Sequence, residues 1–229
     1  MPRFVLIGLC ALGVTRAAAA QVGHEPTRSP YRDIDHRTEL VLFGGQFNAA
    51  TDPARVTPQD GAMLGVHYEL RLGGPVYFTA RMAATFGNRT EIDPKAPIAS
   101  RVVGDKLAPT LLTDVGFAMN LTGNKSWKGL VPTIGGGGGI AAGLEGRDKG
   151  GYVFGFPFMG VFRPGVKFGV GGRWQGRVDA TNYFYRIRYP ETYFTKTGAD
   201  PTVLPPTSDR SMWKRNLSVT LGFTRTFGK

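Results

Sequence analysis

The sequence predicts an all-β fold, an eight-stranded antiparallel up-and-down transmembrane β-barrel. Three observations carry that expectation. Eight stretches alternate apolar and polar residues with a period of two, the mark of strands with one apolar and one polar face. The connections between them alternate long and short. Aromatic residues gather where the strands are expected to end.

The 229 residues suit one barrel or sandwich domain. Residues 1–20 read as a signal peptide: Arg3, an apolar segment from Phe4 to Val14, and a small-residue cleavage site, Ala18-Ala19-Ala20. The apolar segment is shorter than the ~20 residues of a membrane-spanning helix. The single cysteine, Cys10, lies inside this signal, and Leu9 before it does not suit lipidation. The mature chain therefore has no disulfide, reactive thiol or thiolate metal ligand. Removing the signal's two arginines lowers the formal charge from +11 to +9. An exported basic protein meets lipid phosphates rather than nucleic acid, for which no recognition motif is present. Residues 21–37 are polar and read as a periplasmic lead-in, and 38–229 as the barrel domain.

The first strand is expected over Thr38–Phe47, with weak alternation, and a polar loop follows. The second, Gly61–Leu72, sets Leu64, Val66, Tyr68 and Leu70 against His67, Glu69 and Arg71. Gly73-Gly74-Pro75 is a tight turn. The third, Val76–Gly87, sets Phe78, Met82 and Phe86 against Tyr77, Thr79 and Arg81, and Asn88–Lys106 reads as a long loop. The fourth, Ala108–Leu121, sets Val115, Phe117 and Met119 against Asp114 and Asn120. The fifth, Leu130–Leu144, holds the run Gly135–Gly139, and a polar loop follows. The sixth, Tyr152–Phe168, sets Phe154, Phe156, Phe158, Phe162 and Phe168 against Met159, Arg163 and Lys167. The seventh, Arg173–Arg188, sets Trp174, Val178 and Phe184 against Gln175, Arg177, Asp179 and Thr181. After the long loop Tyr189–Ser211, the eighth, Trp213–Phe227, alternates strictly: Leu217, Val219, Leu221 and Phe223 against Ser218, Thr220 and Thr224. It is far longer than the ~5–6 residues of an average strand.

In an up-and-down barrel with both chain ends in the periplasm, the first, third, fifth and seventh connections are extracellular. They are the long ones here, as outer-membrane barrels require; a soluble sandwich gives no reason for that parity. On this topology Trp127, Phe168, Trp174 and Phe227 fall at the periplasmic edge, and Tyr152, Tyr185 and Trp213 at the outer edge, forming two aromatic girdles. The apolar faces are then directed to lipid. The polar faces fill an eight-strand interior, which is just wide enough for side chains. Expected there as a paired network are His67, Glu69, Arg71, Arg81, Asp114, Arg163, Lys167, Arg177 and Asp179, since a lone buried charge is costly. No edge facing hydrocarbon can stay open, so the first strand must pair with the last.

The signal, the eight alternating strands, the long odd-numbered loops and the closing run L-G-F-T-R-T-F resemble the bacterial outer-membrane β-barrel family of the OmpA/OmpX type, across essentially all of the mature chain. The resemblance implies an outer-membrane location in a Gram-negative cell. It also implies that the last strand, with Leu221, Phe223 and Phe227, is the signal read by the barrel-assembly machinery. Gly228-Lys229 depart from the pattern, because many members end on the aromatic. The family's peptidoglycan-anchoring role does not carry over.

No cofactor or metal site is expected, and no catalytic residue. Gly135–Gly139 lacks the Lys-Ser/Thr of a phosphate loop and is expected to leave room inside the barrel for neighbouring Arg or Tyr side chains. His67 with Glu69 two residues on is the pair from which a base or metal site would be built, but no serine completes it. His24 and His36 lie in the lead-in. Five basic against three acidic interior residues would favour anions if a path existed. Arg101, Lys106, Arg147, Lys149, Lys196 and Arg210 are loop bases that could face lipopolysaccharide phosphates. The expected function is a non-enzymatic barrel, monomeric, with a structural or surface-interaction role. The alternatives are a small porin-like channel and, less favoured, an envelope-lipid-modifying enzyme.

Overall fold

The computed structural model of the chain describes residues 29–196 and 200–228. The expected signal peptide and residues 21–28 of the lead-in, His24 among them, lie outside the described residues.

Ten strands form one sheet: β1 (Tyr31–Asp33), β2 (Thr38–Asn48), β3 (Gly61–Gly73), β4 (Val76–Ile92), β5 (Val102–Asn120), β6 (Lys125–Trp127), β7 (Leu130–Gly143), β8 (Phe158–Phe168), β9 (Trp174–Arg188) and β10 (Ser211–Phe227). Eight of them, β2 to β5 and β7 to β10, pair antiparallel in chain order. The ring closes where β10 pairs with β2, from Leu217 opposite Asn48 to Phe227 opposite Thr38. Closure leaves no barrel edge with unpaired backbone groups. Among the described residues, no helix is long and apolar enough to cross a membrane.

One end of the barrel carries the tight turns and the other carries the long connections 49–60, 93–101, 144–157 and 189–210. Both ends of the described chain lie at the turn end. There the lead-in supplies β1, which pairs with β6. This small ribbon carries no sequence signal, because three residues are too few for an alternation to register.

Two boundaries differ from expectation. β4 and β5 run on as a paired hairpin from Asn88 opposite Leu107 to Ile92 opposite Val102, through residues assigned to a loop. Polar pairs hold this extension, such as Thr90 donating to Asp105 at 2.8 Å, so it lacks the apolar face by which strands were located. β8 starts at Phe158, not Tyr152. Gly155 takes a left-handed φ of 70°, and Pro157 cannot donate to a ladder, so the segment before it folds as loop.

Side chains sort by face. Outward-pointing Leu42, Leu64, Phe117, Leu221 and Phe223 are each 57–61% exposed, whereas their inward neighbours Val41, Met63, Ser218 and Thr224 are buried. Apolar groups thus cover the outside, the reverse of a soluble surface.

Candidate functional site

The interior has two storeys. The lower one, toward the turn end, is built from charges. Lys167 on β8 donates to Glu39 at 2.7 Å and to Glu69 at 2.6 Å. Arg177 on β9 donates to Glu69 at 2.8 Å, and holds Asp179 with two further bonds at 2.8 and 2.9 Å. Arg163 donates to Asp114 at 2.8 Å. Arg81 donates to Thr181 at 2.8 Å and lies with its guanidinium 4.0 Å from the centre of the Phe43 ring. All of these charged side chains are buried. Such charges persist in a low-dielectric interior only when paired and hydrogen-bonded.

Glycines make space for this network. A β-carbon on Gly222 would stand 2.6 Å from Val41 and 2.9 Å from the Arg177 side chain, and one on Gly165 would collide with the Asp179 carboxylate. The run Gly135–Gly139 works differently from expectation. β-Carbons on Gly137 and Gly139 would strike the β5 carbonyls of Val115 and Thr113, so these glycines permit close approach of two backbones rather than housing a side chain.

Eight of the nine expected interior residues are in this buried set or touch it. His67 lies with Nε2 3.4 Å from Glu69 and sits opposite Arg81 on β4. Arg71 does not join it. Its guanidinium bonds the Ile34 and Gly74 carbonyls at 2.9 and 3.0 Å and ties the lead-in to the barrel rim. It is the last polar position of β3 before the turn, so it emerges from the barrel instead of filling it. Glu39 was missed, because Leu40, Val41, Leu42 and Phe43 follow it and obscure the alternation. With Glu39 added and Arg71 removed, four carboxylates (Glu39, Glu69, Asp114, Asp179) face four bases (Arg81, Arg163, Lys167, Arg177). The expected basic excess is absent from this set, and with it the reason to favour anions. His36 reaches Glu39 at 3.0 Å at the mouth of the turn end.

The upper storey is apolar and tyrosine-rich. Phe47, Met63, Leu112, Met159, Tyr183 and Tyr185 from the wall pack with Val56, Tyr152, Tyr193 and Leu204 from the loops. Loop 49–60 is pinned there. The Asp52 carboxylate accepts from the Val56 and Thr57 amides at 3.3 and 3.2 Å, from the Thr57 hydroxyl, and from the Tyr189 hydroxyl at 3.1 Å. Lys214 on β10 donates to Thr57. Burial, then the Asp52 carboxylate, push the Tyr189 hydroxyl above its ordinary pKa and keep it a donor. Loop 144–157 is tied by Arg89, which pairs with Glu145 and Asp148 at 3.0 Å each. Asp148 in turn accepts from the Tyr152 amide at 2.7 Å.

This packing corrects the outer girdle. Trp213 is 68% exposed on the outside, as are Trp127, Phe168, Trp174 and Phe227 at lower values, but Tyr152 and Tyr185 are each 1% exposed, inside. Tyr185 shares the parity of Arg177, Asp179 and Tyr183 on β9 and must point inward. Tyr152 enters from the loop. Phe156 and Phe158, 77% and 74% exposed, take their place on the outer wall. Phe154, grouped with them by alternation, turns inward and meets Tyr185 edge-on with ring centres 5.6 Å apart.

The loop bases divide as well. Lys106 pairs with Glu145 at 3.1 Å and Arg210 with Glu191 at 2.7 Å, and Arg101 is buried. Arg147, Lys149 and Lys196 are exposed.

A closed antiparallel ring of eight strands, apolar outside and charged within, defines the architecture. The fold is an eight-stranded antiparallel up-and-down β-barrel, as the alternation in the sequence predicts. No family model matches the sequence, and no curated protein matches it either. Three solved structures of similar shape are Neisserial surface protein A, OprG from Pseudomonas aeruginosa and the outer-membrane protein AlkL. Neisserial surface protein A is 12% identical, covering 83% of this chain and 97% of that one, with a TM-score of 0.49. OprG is 11% identical, covering 86% and 99%, with a TM-score of 0.49. AlkL is 10% identical, covering 91% and 98%, with a TM-score of 0.47. At such identities no residue role passes from them to this chain.

Proposed function

We propose that the protein is an integral outer-membrane barrel of Gram-negative bacteria, non-enzymatic and closed to conduction, that contributes to the envelope through its wall and its outward loops. The observation that carries this reading is the inverted surface: outward apolar residues on all eight barrel strands around paired buried charges. Soluble monomers rarely expose an apolar patch above a few hundred Å², whereas a lipid-embedded barrel needs an apolar band ~25 Å tall around its whole circumference. Closure is supported by the filled interior, in which Arg177, Lys214, Tyr183 and Tyr185 are fully buried.

On this reading the signal peptide exports the chain and is cleaved. The barrel-assembly machinery reads β10 through Leu221, Phe223 and Phe227, and the barrel works as a monomer in contact with outer-membrane lipids. The test is fractionation with heat-modifiable gel mobility. The protein is expected in the outer membrane and to migrate differently before and after boiling; recovery as a soluble periplasmic protein refutes the reading. Planar-bilayer recording is expected to be silent, and steady unit conductance would replace the closed barrel with a channel.

A further inference from the structure

We propose that the outer wall of β8, β9 and β10 carries a binding site for the phosphorylated head group of an outer-leaflet glycolipid. The site is a groove of about 490 Å³ at the loop end, on the exterior, lined by Phe156, Pro157, Phe158 and Trp213 together with Arg186 and Arg188. Strand pairing builds it: Arg186 lies opposite Trp213, and Arg188 opposite Ser211. Ser211 accepts from Arg186 Nε at 2.9 Å, which fixes the guanidinium and leaves its terminal nitrogens to the groove. One step lower, Arg215 bonds Asn182 at 3.0 Å and lies 6.0 Å from the centre of the Phe184 ring.

All three arginines are exposed, and among the described residues none has a carboxylate within ion-pair distance. The other exposed cation at the loop end of β10, Arg210, is already taken by Glu191. Three unpaired guanidiniums on a wall otherwise apolar call for an anion, and the guanidinium fork suits a phosphate.

Height on the barrel names the anion's source, and this step rests on the membrane reading proposed above. Arg186 is twelve residues beyond Trp174 on β9. At ~3.3 Å per residue and a tilt near 40°, it stands about 30 Å above that interfacial tryptophan. An apolar band ~25 Å tall ends just below it. Arg186 and Arg188 are therefore level with lipid phosphates, with Trp213 beside Arg186, and Arg215, one step lower on β10, is level with the first acyl carbons.

The probe is bis-phosphorylated lipid A, added to the purified full chain in neutral detergent and followed by native mass spectrometry. One bound molecule is expected, held about tenfold more tightly than the dephosphorylated form. The double variant Arg186→Ala/Arg188→Ala is expected to lose that preference while keeping heat-modifiable mobility, and Arg173→Ala, at the other end of the wall, to keep it. Equal binding of phosphorylated and dephosphorylated lipid A by the wild type overturns the proposal without any variant. Unchanged binding by a folded double variant also overturns it. A soluble phosphorylated glucosamine disaccharide binding as tightly as lipid A would assign the groove to a sugar phosphate and overturn the lipid. Loss of heat-modifiable mobility in the wild type would instead refute the barrel reading itself.

Discussion

Glu69 is the hub of the buried charges, and its neutralisation tests whether the interior is a balanced network. Its two carboxylate oxygens bond Arg177 at 2.8 Å and Lys167 at 2.6 Å. Replacing Glu69 by Gln keeps the volume and removes the charge. Breaking a buried pair from one side costs about 3–5 kcal/mol, because the remaining charge has lost its compensation. Here two bases lose a partner, but each keeps one: Arg177 holds Asp179, and Lys167 holds Glu39. The expected cost is therefore about 3 kcal/mol, the low end of that range. Glu39→Gln should cost less, because Arg177 keeps both of its carboxylates. Combining Glu69→Gln with Lys167→Met should be less damaging than the two costs added, with a coupling of about 0.5–3 kcal/mol. The assay is urea unfolding of protein folded into phospholipid vesicles, followed by heat-modifiable mobility and tryptophan fluorescence, with midpoints compared at constant slope. A Glu69→Gln variant within about 0.5 kcal/mol of wild type, or one more stable than Glu39→Gln, would refute the hub.

Further outcomes follow from other parts of the wall and cap. Leu221→Arg places a charge in the middle of the outward apolar face of β10; at the midplane this costs ~2–4 kcal/mol. The expected result is failed insertion in cells, and Thr220→Ser should insert normally. Arg215 and Arg225 are tolerated on the same face because they sit near its ends, where the cost falls to ~0–1 kcal/mol, and Arg225 stacks on Trp174 at 5.3 Å. Gly222→Val adds side-chain atoms where even a β-carbon would be 2.6 Å from Val41. Overpacking of this kind costs about 1–3 kcal/mol, to be read as a lowered urea midpoint. Asp52→Ala removes the acceptor that pins loop 49–60, so trypsin applied to whole cells should cleave after the exposed Arg55 several-fold faster.

The architecture was legible because two signals survive without tertiary information: strict alternation in β10, and the parity of long and short connections. Both are local or countable, and the ring closure follows from them once no edge can face hydrocarbon. The interior was legible only in part. Parity alone puts Arg177, Asp179, Tyr183 and Tyr185 on one face of β9, and where parity was set aside in favour of residue type, Tyr185 was sent to the wrong side. The deeper reason is that the interior is not uniformly polar. Its upper storey, with Met63, Leu112, Met159 and Phe47, is an ordinary apolar core. A rule that sends apolar residues outward therefore holds at the level of Leu221 and Phe117 and fails toward the loop end, where Tyr152 and Phe154 turn in. Pairings were out of reach for another reason: Lys167 and Glu39 are 128 residues apart, and nothing in either strand records the other. Even so, charge balance could have found Glu39. An interior with five bases and three acids, walled from water and lipid, is short of carboxylates, and Glu39 is the only acid in the first strand available to supply one.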